Sequence, residues 1–171
     1  MAKRKSAKKS KSRRVAEPAL SRSPWLWASA VLSLAGIGVS GYLAYKRVAG
    51  GSLVCTRWAD CDVVNNSVYS LLFGIPVSFI GLAGYLALLA LAVAAFVTAG
   101  KTQRAILLLS LLMALGGFGF SLWLTYVEIY IIEALCAWCL ASALIIMLLF
   151  VNNGLAAWRS FPADDRAAAR L

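Results

Sequence analysis

The chain has 171 residues, of which 61% are hydrophobic, 14% are charged and none is histidine. An average soluble domain is about a quarter charged, so this composition excludes an ordinary water-soluble domain and predicts a membrane protein. The lack of histidine excludes an imidazole base, a histidine-ligated zinc site and a histidine-held haem. Four cysteines, a few carboxylates and hydroxyls are left to carry any chemistry.

The net charge of +10 is concentrated at the N-terminus. Eight of the 17 basic residues lie within the first fourteen positions, and the rest of the chain carries +2. A lysine- and serine-rich run beside an apolar segment is more typical of a topology signal and of attraction to anionic lipid than of nucleic-acid binding. We therefore interpret residues 1–24 as a basic cytoplasmic tail whose partner is membrane lipid, with no role for nucleic acid.

Uncharged segments of recurring length follow this tail. A helix needs roughly 20 apolar residues to cross a hydrocarbon core of about 30 Å. The first segment has 23 uncharged residues, which exceeds the apolar stretch of a cleaved signal peptide, so we expect it to be retained. We predict a membrane domain over residues 25–158 with spans at about 25–45, 75–97, 105–127 and 137–158, followed by a cytoplasmic tail, 159–171.

The distribution of lysine and arginine predicts the orientation of these spans. The side that carries both termini holds fourteen basic residues, whereas the other side holds three, namely Lys46, Arg47 and Arg57. We therefore expect both termini in the cytoplasm and the chain in the inner (plasma) membrane. Residues 46–74 then form the first outer loop, and its segment 63–70 is too polar for lipid.

Small residues recur within three of the four predicted spans. They are Ala35, Gly36, Ser40 and Gly41, then Gly81 and Gly84, then Gly116, Gly117, Gly119 and Ser121. Because the hydrophobic effect does not act between helices in lipid, small residues mark the faces on which helices pack closely. We expect close helix contacts there, or room for a flat ligand between helices, and a four-helix bundle accommodates both.

The four cysteines fall into two pairs at the same side of the membrane. Cys55 and Cys61 lie in the first outer loop, and Cys136 and Cys139 form a Cys-Ala-Trp-Cys motif at the outer start of the fourth span. All four thiols are therefore expected on the oxidising side, where disulfides persist.

Three interpretations of the cysteines remain open. Structural disulfides are one, although a Cys-x-x-Cys bridge closes so small a loop that it stabilises little. A zinc or iron–sulfur site is another, but Cys-x5-Cys is not the usual second half of such a site. A redox relay is the third, because a helix N-terminus favours thiolate and lowers the pKa of Cys136, with Glu133 opposing this effect. The position of the motif favours the relay.

The placement of the pairs also predicts a direction for the electrons. Cys55 and Cys61 lie on a loop that water-soluble proteins can reach, whereas Cys139 lies almost one turn deeper than Cys136. We expect electrons to enter at the loop pair, pass by thiol exchange and leave to a membrane-soluble two-electron acceptor, which points to a quinone. The sequence contains neither a haem-ligand pattern nor a glycine-rich dinucleotide fingerprint that would suggest another acceptor.

Several motifs occur in a fixed order along the chain. They are Cys55-x5-Cys61, Asp-Val-Val-Asn-Asn-Ser at 62–67, Leu-Phe-Gly-Ile-Pro-Val-Ser at 72–78, Gly-Leu-Ala-Gly-Tyr at 81–85 and Cys136-Ala-Trp-Cys139. This combination resembles the vitamin K epoxide reductase family in its bacterial form, over about residues 26–149. A quinone-linked oxidoreductase of DsbB type has similar chemistry but carries its Cys-x-x-Cys in the first outer loop, so the order here disfavours it.

The resemblance implies an all-α membrane protein, a four-transmembrane-helix bundle around a quinone of the menaquinone, ubiquinone or vitamin K type. It also implies a half-helix in the first outer loop that acts as a lid, over about residues 63–72. Many bacterial members carry a fused thioredoxin-like domain, and this sequence ends at Leu171 without one. We therefore expect the thioredoxin-like periplasmic partner to be a separate chain.

The resemblance further implies a role for each cysteine. A reduced thioredoxin-like partner attacks Cys55, Cys61 exchanges with Cys136, and Cys139 reduces the quinone. Ser67 matches the family's hydroxyl residue near the quinone ring, although a serine there is also typical of a helix cap or turn.

These observations predict a membrane thiol-disulfide oxidoreductase that passes electrons from periplasmic dithiols to a quinone or quinone epoxide and so supports disulfide formation. The alternative is a four-span structural or partner-binding membrane protein with structural disulfides.

Overall fold

The computed structural model describes residues 24–55 and 59–160. Within these ranges, four long helices form a bundle: α1 (Pro24–Ala49), α3 (Val77–Val97), α4 (Gly100–Val127) and α5 (Ala137–Ser160). Each is long and apolar enough to cross a membrane, so the chain is a multi-pass membrane protein. A short helix, α2 (Cys61–Asn66), lies in the loop between α1 and α3. The predicted fold class is confirmed.

Most of the predicted tails, at 1–23 and 161–171, and Arg57 lie outside the described residues, whereas Pro24 belongs to α1 and residues 159–160 belong to α5. Two long helices extend past the predicted spans, since α1 continues to Ala49 and α4 begins at Gly100. A helix satisfies its own backbone hydrogen bonds, so it need not end where the apolar stretch ends, and charged side chains on the added turns reach water.

A short turn joins α3 to α4 and closes them into an antiparallel pair. Thr98 Oγ1 donates to the Ala94 carbonyl oxygen at 2.8 Å, and Gln103 Nε2 donates to the Ala95 carbonyl oxygen at 2.7 Å. Both bonds satisfy carbonyls at the end of α3 that lack a partner within the helix. The bond to Ala95 also satisfies the amide group of Gln103, which is buried at this turn.

The bundle core consists of three successive buried layers. At the terminal end, which holds the start of α1 and the end of α5, the layer contains Leu26, Ala95, Leu107 and Ala156. The middle layer contains Tyr85, Leu88, Ala114, Ile146 and Leu149. At the opposite end, called here the loop end, the layer contains Leu43, Leu53, Ala59, Cys61, Val64 and Cys136. Two of the four cysteines are thus core residues of the loop end.

Small residues allow the closest helix contacts. A side chain at Gly36 of α1 would overlap the ring of Tyr85 in α3, and a Cβ at Gly117 of α4 would lie 3.1 Å from Ile146 of α5. Ala35, in contrast, is exposed. The expected close contacts are therefore found at Gly36, at Gly117 and at Gly81, where a Cβ would lie 3.2 Å from Ser40 Oγ, whereas a Cβ at Gly84, Gly116 or Gly119 would meet no atom within 4 Å.

Polar side chains join α1 to α5 near the terminal end. Ser29 Oγ donates to Asn153 Oδ1 at 2.7 Å, and Asn152 Nδ2 donates to Ser29 Oγ at 2.7 Å and to the Trp25 carbonyl oxygen at 2.9 Å. Hydrogen bonds of this kind add specificity to helix packing in lipid.

The loop end carries a lid, defined here as residues 61–70. It consists of α2 and a 3-10 turn, Val68–Ser70, and a two-stranded hairpin follows with Leu71 opposite Pro76 and Leu72 opposite Ile75. The helix ends at Asn66 and does not run on to residue 72 as expected, because Ser67 is extended (ψ 159°) and both its N–H and its hydroxyl bond the Val64 carbonyl oxygen.

Substitution of Gly36 by alanine should destabilise the bundle by about 1–3 kcal/mol, because the new methyl group forces Tyr85 away from α1. Thermal unfolding in mild detergent measures this as a lower midpoint. Gly38→Ala is the matched control on the same helix, since a Cβ there has no neighbour within 4 Å. Equal midpoints for the two variants would contradict the close contact.

Candidate functional site

The loop pair of cysteines is joined in a disulfide. Cys55 and Cys61 are bonded with their Cα atoms 6.2 Å apart, within the usual range for a disulfide. Cys61 is the first residue of α2 and is only 1% exposed, whereas Cys55 is half-buried. The disulfide therefore has one sulfur in the core and one toward the surface.

The second pair lies at the start of α5 and consists of free thiols. Cys136 precedes the helix and is 0% exposed, and Cys139 is the third residue of the helix. The Cys139 backbone N–H donates to Cys136 Sγ at 3.3 Å. Backbone N–H groups of a first helical turn have no carbonyl partner in the helix, so this sulfur receives a hydrogen bond that the fold leaves free.

Hydrogen bonds lower the pKa of the Cys136 thiol. The largest contribution comes from the Cys139 thiol, and the backbone N–H groups of Cys139 and Trp138 add to it. Burial and the carboxylate of Glu128 oppose the effect. The expected direction at the helix N-terminus is thus found, but the opposing carboxylate is Glu128 and not Glu133, which is exposed.

The fold brings one cysteine of each pair into the same buried cluster. Cys61 and Cys136 pack with Leu43, Leu53, Ala59 and Val64, and Cys55 and Cys139 pack against the edge of this cluster. The two pairs are 75 positions apart in sequence between Cys61 and Cys136. Their place in one cluster is therefore a product of the tertiary fold.

Trp138, inside the Cys-Ala-Trp-Cys motif, fastens the loop to α5. Its indole N–H donates to the Val54 carbonyl oxygen at 2.9 Å, and its ring packs on Tyr42 with centroids 4.9 Å apart. The Val54 N–H in turn donates to the Tyr42 hydroxyl at 3.2 Å. These contacts hold the residue next to Cys55 against the helix that carries the free thiols.

A single arginine at the end of α1 holds the lid. Arg47 Nη1 donates to the Asn65 carbonyl oxygen, to Asn66 Oδ1 at 3.2 Å and to Ser70 Oγ at 3.2 Å. On the other side of the lid, Asp62 Oδ1 accepts the Leu53 N–H at 2.8 Å. The guanidinium thus occupies the C-terminal end of α2, where a cation also interacts favourably with the helix dipole.

Beneath the lid, a cavity of about 390 Å³ opens between the four long helices. This volume falls in the range of small-molecule sites. Its wall is mainly apolar, and polar groups on it include Ser67, Ser78, Tyr85, Glu128, Cys139 and Ser142. Gly84 and Gly116 also line it, and a Cβ at either would meet no atom within 4 Å. Small residues thus leave room here, as the sequence suggested for a flat ligand.

The structure places Cys139 and Ser67 on the wall of this same cavity. The Ser67 hydroxyl donates to the Val64 carbonyl oxygen at 2.8 Å, and the residue forms the C-cap of α2. Ser67 therefore fits the turn role suggested for it, and its oxygen can still accept a hydrogen bond from the cavity side.

Another serine on the wall has a polar atom with no partner. Ser78 Oγ, in the first turn of α3, is buried and makes no hydrogen bond in the described part of the chain. The Tyr85 hydroxyl, in contrast, donates to the Ser142 carbonyl oxygen at 2.9 Å. Buried polar atoms are normally paired, so the free Ser78 hydroxyl fits a ligand oxygen in the cavity.

Glu128 is a further polar residue of the wall and is only 4% exposed. Its Oε2 accepts the Cys136 N–H at 3.2 Å, and Cys139 lies on the same cavity wall. Glu128 is therefore bonded to one residue of the free pair and shares the cavity with the other.

Sequence reasoning did not identify Glu128, Ser78 or Arg47 as site residues. Glu128 lies at the end of an apolar span, where a carboxylate is costly unless it has a function, and this was the available signal. Ser78 and Arg47 had no comparable signal, because their importance comes from neighbours that are distant in sequence.

The described residues, 24–55 and 59–160, contain no group of three or more histidine, cysteine, aspartate or glutamate side chains that could hold a metal ion.

The model of the Vitamin K epoxide reductase family matches residues 27–153 of the chain. These residues include both cysteine pairs, the lid and the greater part of each long helix.

Replacement of Arg47 by glutamine should loosen the lid, because it removes the cation that bridges three acceptors on it. Loss of charge-assisted hydrogen bonds worth ~1.4 kcal/mol would speed amide hydrogen exchange in residues 61–70 about tenfold. Lys46→Gln is the matched control, since the Lys46 ammonium lies over the Tyr42 ring at 6.0 Å from its centroid. Unchanged exchange in the Arg47 variant would show that the lid does not depend on this side chain.

Proposed function

The chain belongs to the vitamin K epoxide reductase family, and we propose that it is a membrane thiol-disulfide oxidoreductase that delivers electrons from periplasmic dithiols to a membrane quinone. Such an enzyme supports disulfide-bond formation outside the cytoplasm. The observation that carries the proposal is the shared buried cluster of Cys61 and Cys136, placed beside a cavity whose wall includes Cys139.

The outer step of the proposed relay takes place at Cys55. A thiolate of a reduced thioredoxin-like protein, supplied as a separate chain, attacks Cys55 and releases Cys61 as the leaving thiolate. The second thiol of that protein then resolves the mixed disulfide, so the partner is oxidised and Cys55 and Cys61 are reduced. Exposure favours attack at Cys55, because it is half-buried beside Val54, which is 75% exposed, whereas Cys61 is enclosed.

The inner step moves the same two electrons to the second pair. Once Cys136 and Cys139 are joined in a disulfide, the Cys61 thiolate attacks Cys136 and releases Cys139. Cys55 then attacks Cys61, which re-forms the loop disulfide and leaves Cys136 and Cys139 as thiols. The arrangement with the loop pair bonded and the inner pair free supports this step, since it is the one that the exchange would leave.

The residues of the cavity fit a quinone. A bound quinone supplies an acceptor for two electrons and two protons, of the menaquinone, ubiquinone or vitamin K type or its epoxide. The apolar wall excludes water from the thiols, and the unpaired Ser78 hydroxyl offers a donor for a ring oxygen. Cys139 and Ser67 lie on this wall, and oxidation of Cys136 and Cys139 to a disulfide would release the two electrons and two protons that a quinone there would take up.

We propose an orientation with both termini in the cytoplasm and all four cysteines outside. Lysine and arginine support it, since fourteen of them belong to the side of the termini and three to the side of the loop. Lys101, Arg104 and Arg159 belong to the larger group and lie at the terminal end of the bundle.

Quinone reduction by the purified protein tests the function. With dithiothreitol as electron donor and menadione as acceptor, the protein in mild detergent should reduce the quinone, measured by the loss of its absorbance. Cys139→Ala should lower the rate by at least about a hundredfold, because it removes the thiol of the cavity wall. Gly38→Ala, at a position that does not line the cavity, should keep the rate. A folded protein without activity, or an active Cys139→Ala variant, would refute the proposal.

Trapping tests the route between the pairs. In the double variant Cys55→Ser, Cys139→Ser, mild oxidation should join Cys61 to Cys136, because both lie in one cluster. After cleavage at a protease site inserted in the turn after α3, the bridge should hold the two fragments together on a non-reducing gel. Additional Cys61→Ser is the control and should separate them. Separate fragments in the double variant itself would exclude this route.

A further inference from the structure

The position of Glu128 is unusual for a carboxylate. It is 4% exposed and lies at the mouth of a membrane bundle, on the wall of the apolar cavity. Among the described residues, no lysine or arginine lines this cavity. A buried carboxylate is costly unless it is paired or used, so the groups it contacts indicate its purpose.

The groups that Glu128 contacts are those of the free cysteine pair. Its Oε2 accepts the Cys136 N–H at 3.2 Å, which fixes the carboxyl group next to the start of α5. Cys139 lies on the same cavity wall, and its backbone N–H donates to Cys136 Sγ at 3.3 Å, so Cys136 bridges the two residues. The Glu128 carboxyl group is therefore a potential base placed on the same wall as the Cys139 thiol.

The backbone holds Glu128 in this position through an irregular turn. Glu128–Ile132 form a π-helical turn after α4, and the Ala134 N–H donates to the Glu128 carbonyl oxygen at 3.1 Å. The turn ends at Glu133, whose φ of 53° is left-handed and uncommon for a residue with a side chain. Such π turns are frequent at functional sites, and this one places Glu128 inward and leaves Glu133 exposed.

We propose that Glu128 is the base that accepts the proton of the Cys139 thiol. In this step the S–H bond of Cys139 breaks, its electron pair stays on sulfur as the thiolate, and an O–H bond forms on the Glu128 carboxyl group. The transfer changes no oxidation state and needs no other reactant. It leaves a proton on a group that faces the cavity, where the two-electron chemistry of the proposed function also requires protons.

Other titratable groups lie around the cavity and could also exchange a proton with Cys139. Cys136 lies beside Cys139, Tyr69 lines the cavity from the lid, and Tyr85 lines it from α3. Tyr85 is engaged with Ser142, and a phenol ordinarily titrates near pH 10, above the range used below. Cys136 is the group that could share a proton with Cys139 without Glu128, so the test has to separate these two.

A thiol and a carboxylate that share one proton have a characteristic pH profile. While the pair holds one proton, the fraction present as thiolate and carboxylic acid stays constant, so the reactivity of the sulfur is independent of pH. A thiol that titrates alone instead becomes about tenfold more reactive with each pH unit below its pKa. The shape of the profile therefore reports whether Glu128 takes the proton.

The experiment measures alkylation of Cys139 in the fully reduced protein in mild detergent, with iodoacetamide and without quinone or donor protein. Mass spectrometry of the peptide gives the rate at Cys139 separately from Cys136, from roughly pH 6 to pH 8.5. We expect a flat profile for the unmodified protein and a rise of about tenfold per pH unit for Glu128→Gln. Glutamine keeps the oxygen that accepts the Cys136 N–H but cannot take a proton.

Glu133→Gln is the matched control, because it removes the same charge five positions away on an exposed side chain, and its profile should stay flat. Glu128→Asp, which keeps a carboxyl group, should also stay flat at a lower rate. A steep profile in the unmodified protein, or a flat one in Glu128→Gln, would overturn the proposal, and the latter would assign the shared proton to Cys136. The proposal rests on the proposed function for its purpose, but this measurement uses no acceptor and can fail or succeed independently of quinone reduction.

Discussion

The packing of the loop before and within α2 against the first turn of α5 is the contact on which the site depends. It encloses Cys61 and Cys136 in one apolar cluster, and the Trp138 hydrogen bond to Val54 fixes the loop at that place. Neither partner forms this cluster alone, since α5 supplies its free thiols and the loop supplies the disulfide. The four long helices act as the frame that brings these two segments to the same end of the bundle.

A second constraint is that a lid with a polar backbone covers an apolar cavity. Backbone carbonyls of the lid are paired with Arg47 and with its own turn bonds, so the lid can lie over this cavity. The polarity of the cavity wall varies. Most of the wall is apolar, and its polar groups include the Cys139 thiol, the Glu128 carboxyl group and several hydroxyls. The thiol exchange proposed between the pairs would thus not require the bundle to open.

The sequence was sufficient to predict the four long helices, because the thickness of a membrane sets a minimum length for an uncharged segment that spans it. It was also sufficient to group the cysteines at one end. It did not distinguish Glu128 from Glu133, which both fall between the third and fourth spans. The π turn at Glu128–Ile132 determines which of them is buried. The buried position of Glu128 also depends on its hydrogen bond to the Cys136 N–H, just before α5.

The roles of Cys55, Cys61, Cys136, Cys139 and Ser67 stay predictions, although the structure brings these residues to one end of the bundle. Arg47 and Ser78 were beyond sequence reasoning for a related reason. An arginine near a span end usually serves topology, and a serine in a first turn usually serves as a cap. The tertiary structure is needed to see that Arg47 bonds the lid. It is also needed to see that the Ser78 hydroxyl has no partner among the described residues.

The complete burial of Cys136 also has a consequence for the cell. Its sulfur belongs to a residue with 0% exposed surface, whereas Cys55 is accessible from water. Small hydrophilic thiols and peroxides can therefore meet the loop disulfide but not the Cys136 sulfur, whereas the half-buried Cys139 stays within reach of small reagents. In the proposed relay, electrons would then reach Cys136 by way of Cys61, and donor proteins would be selected by how they dock at Cys55.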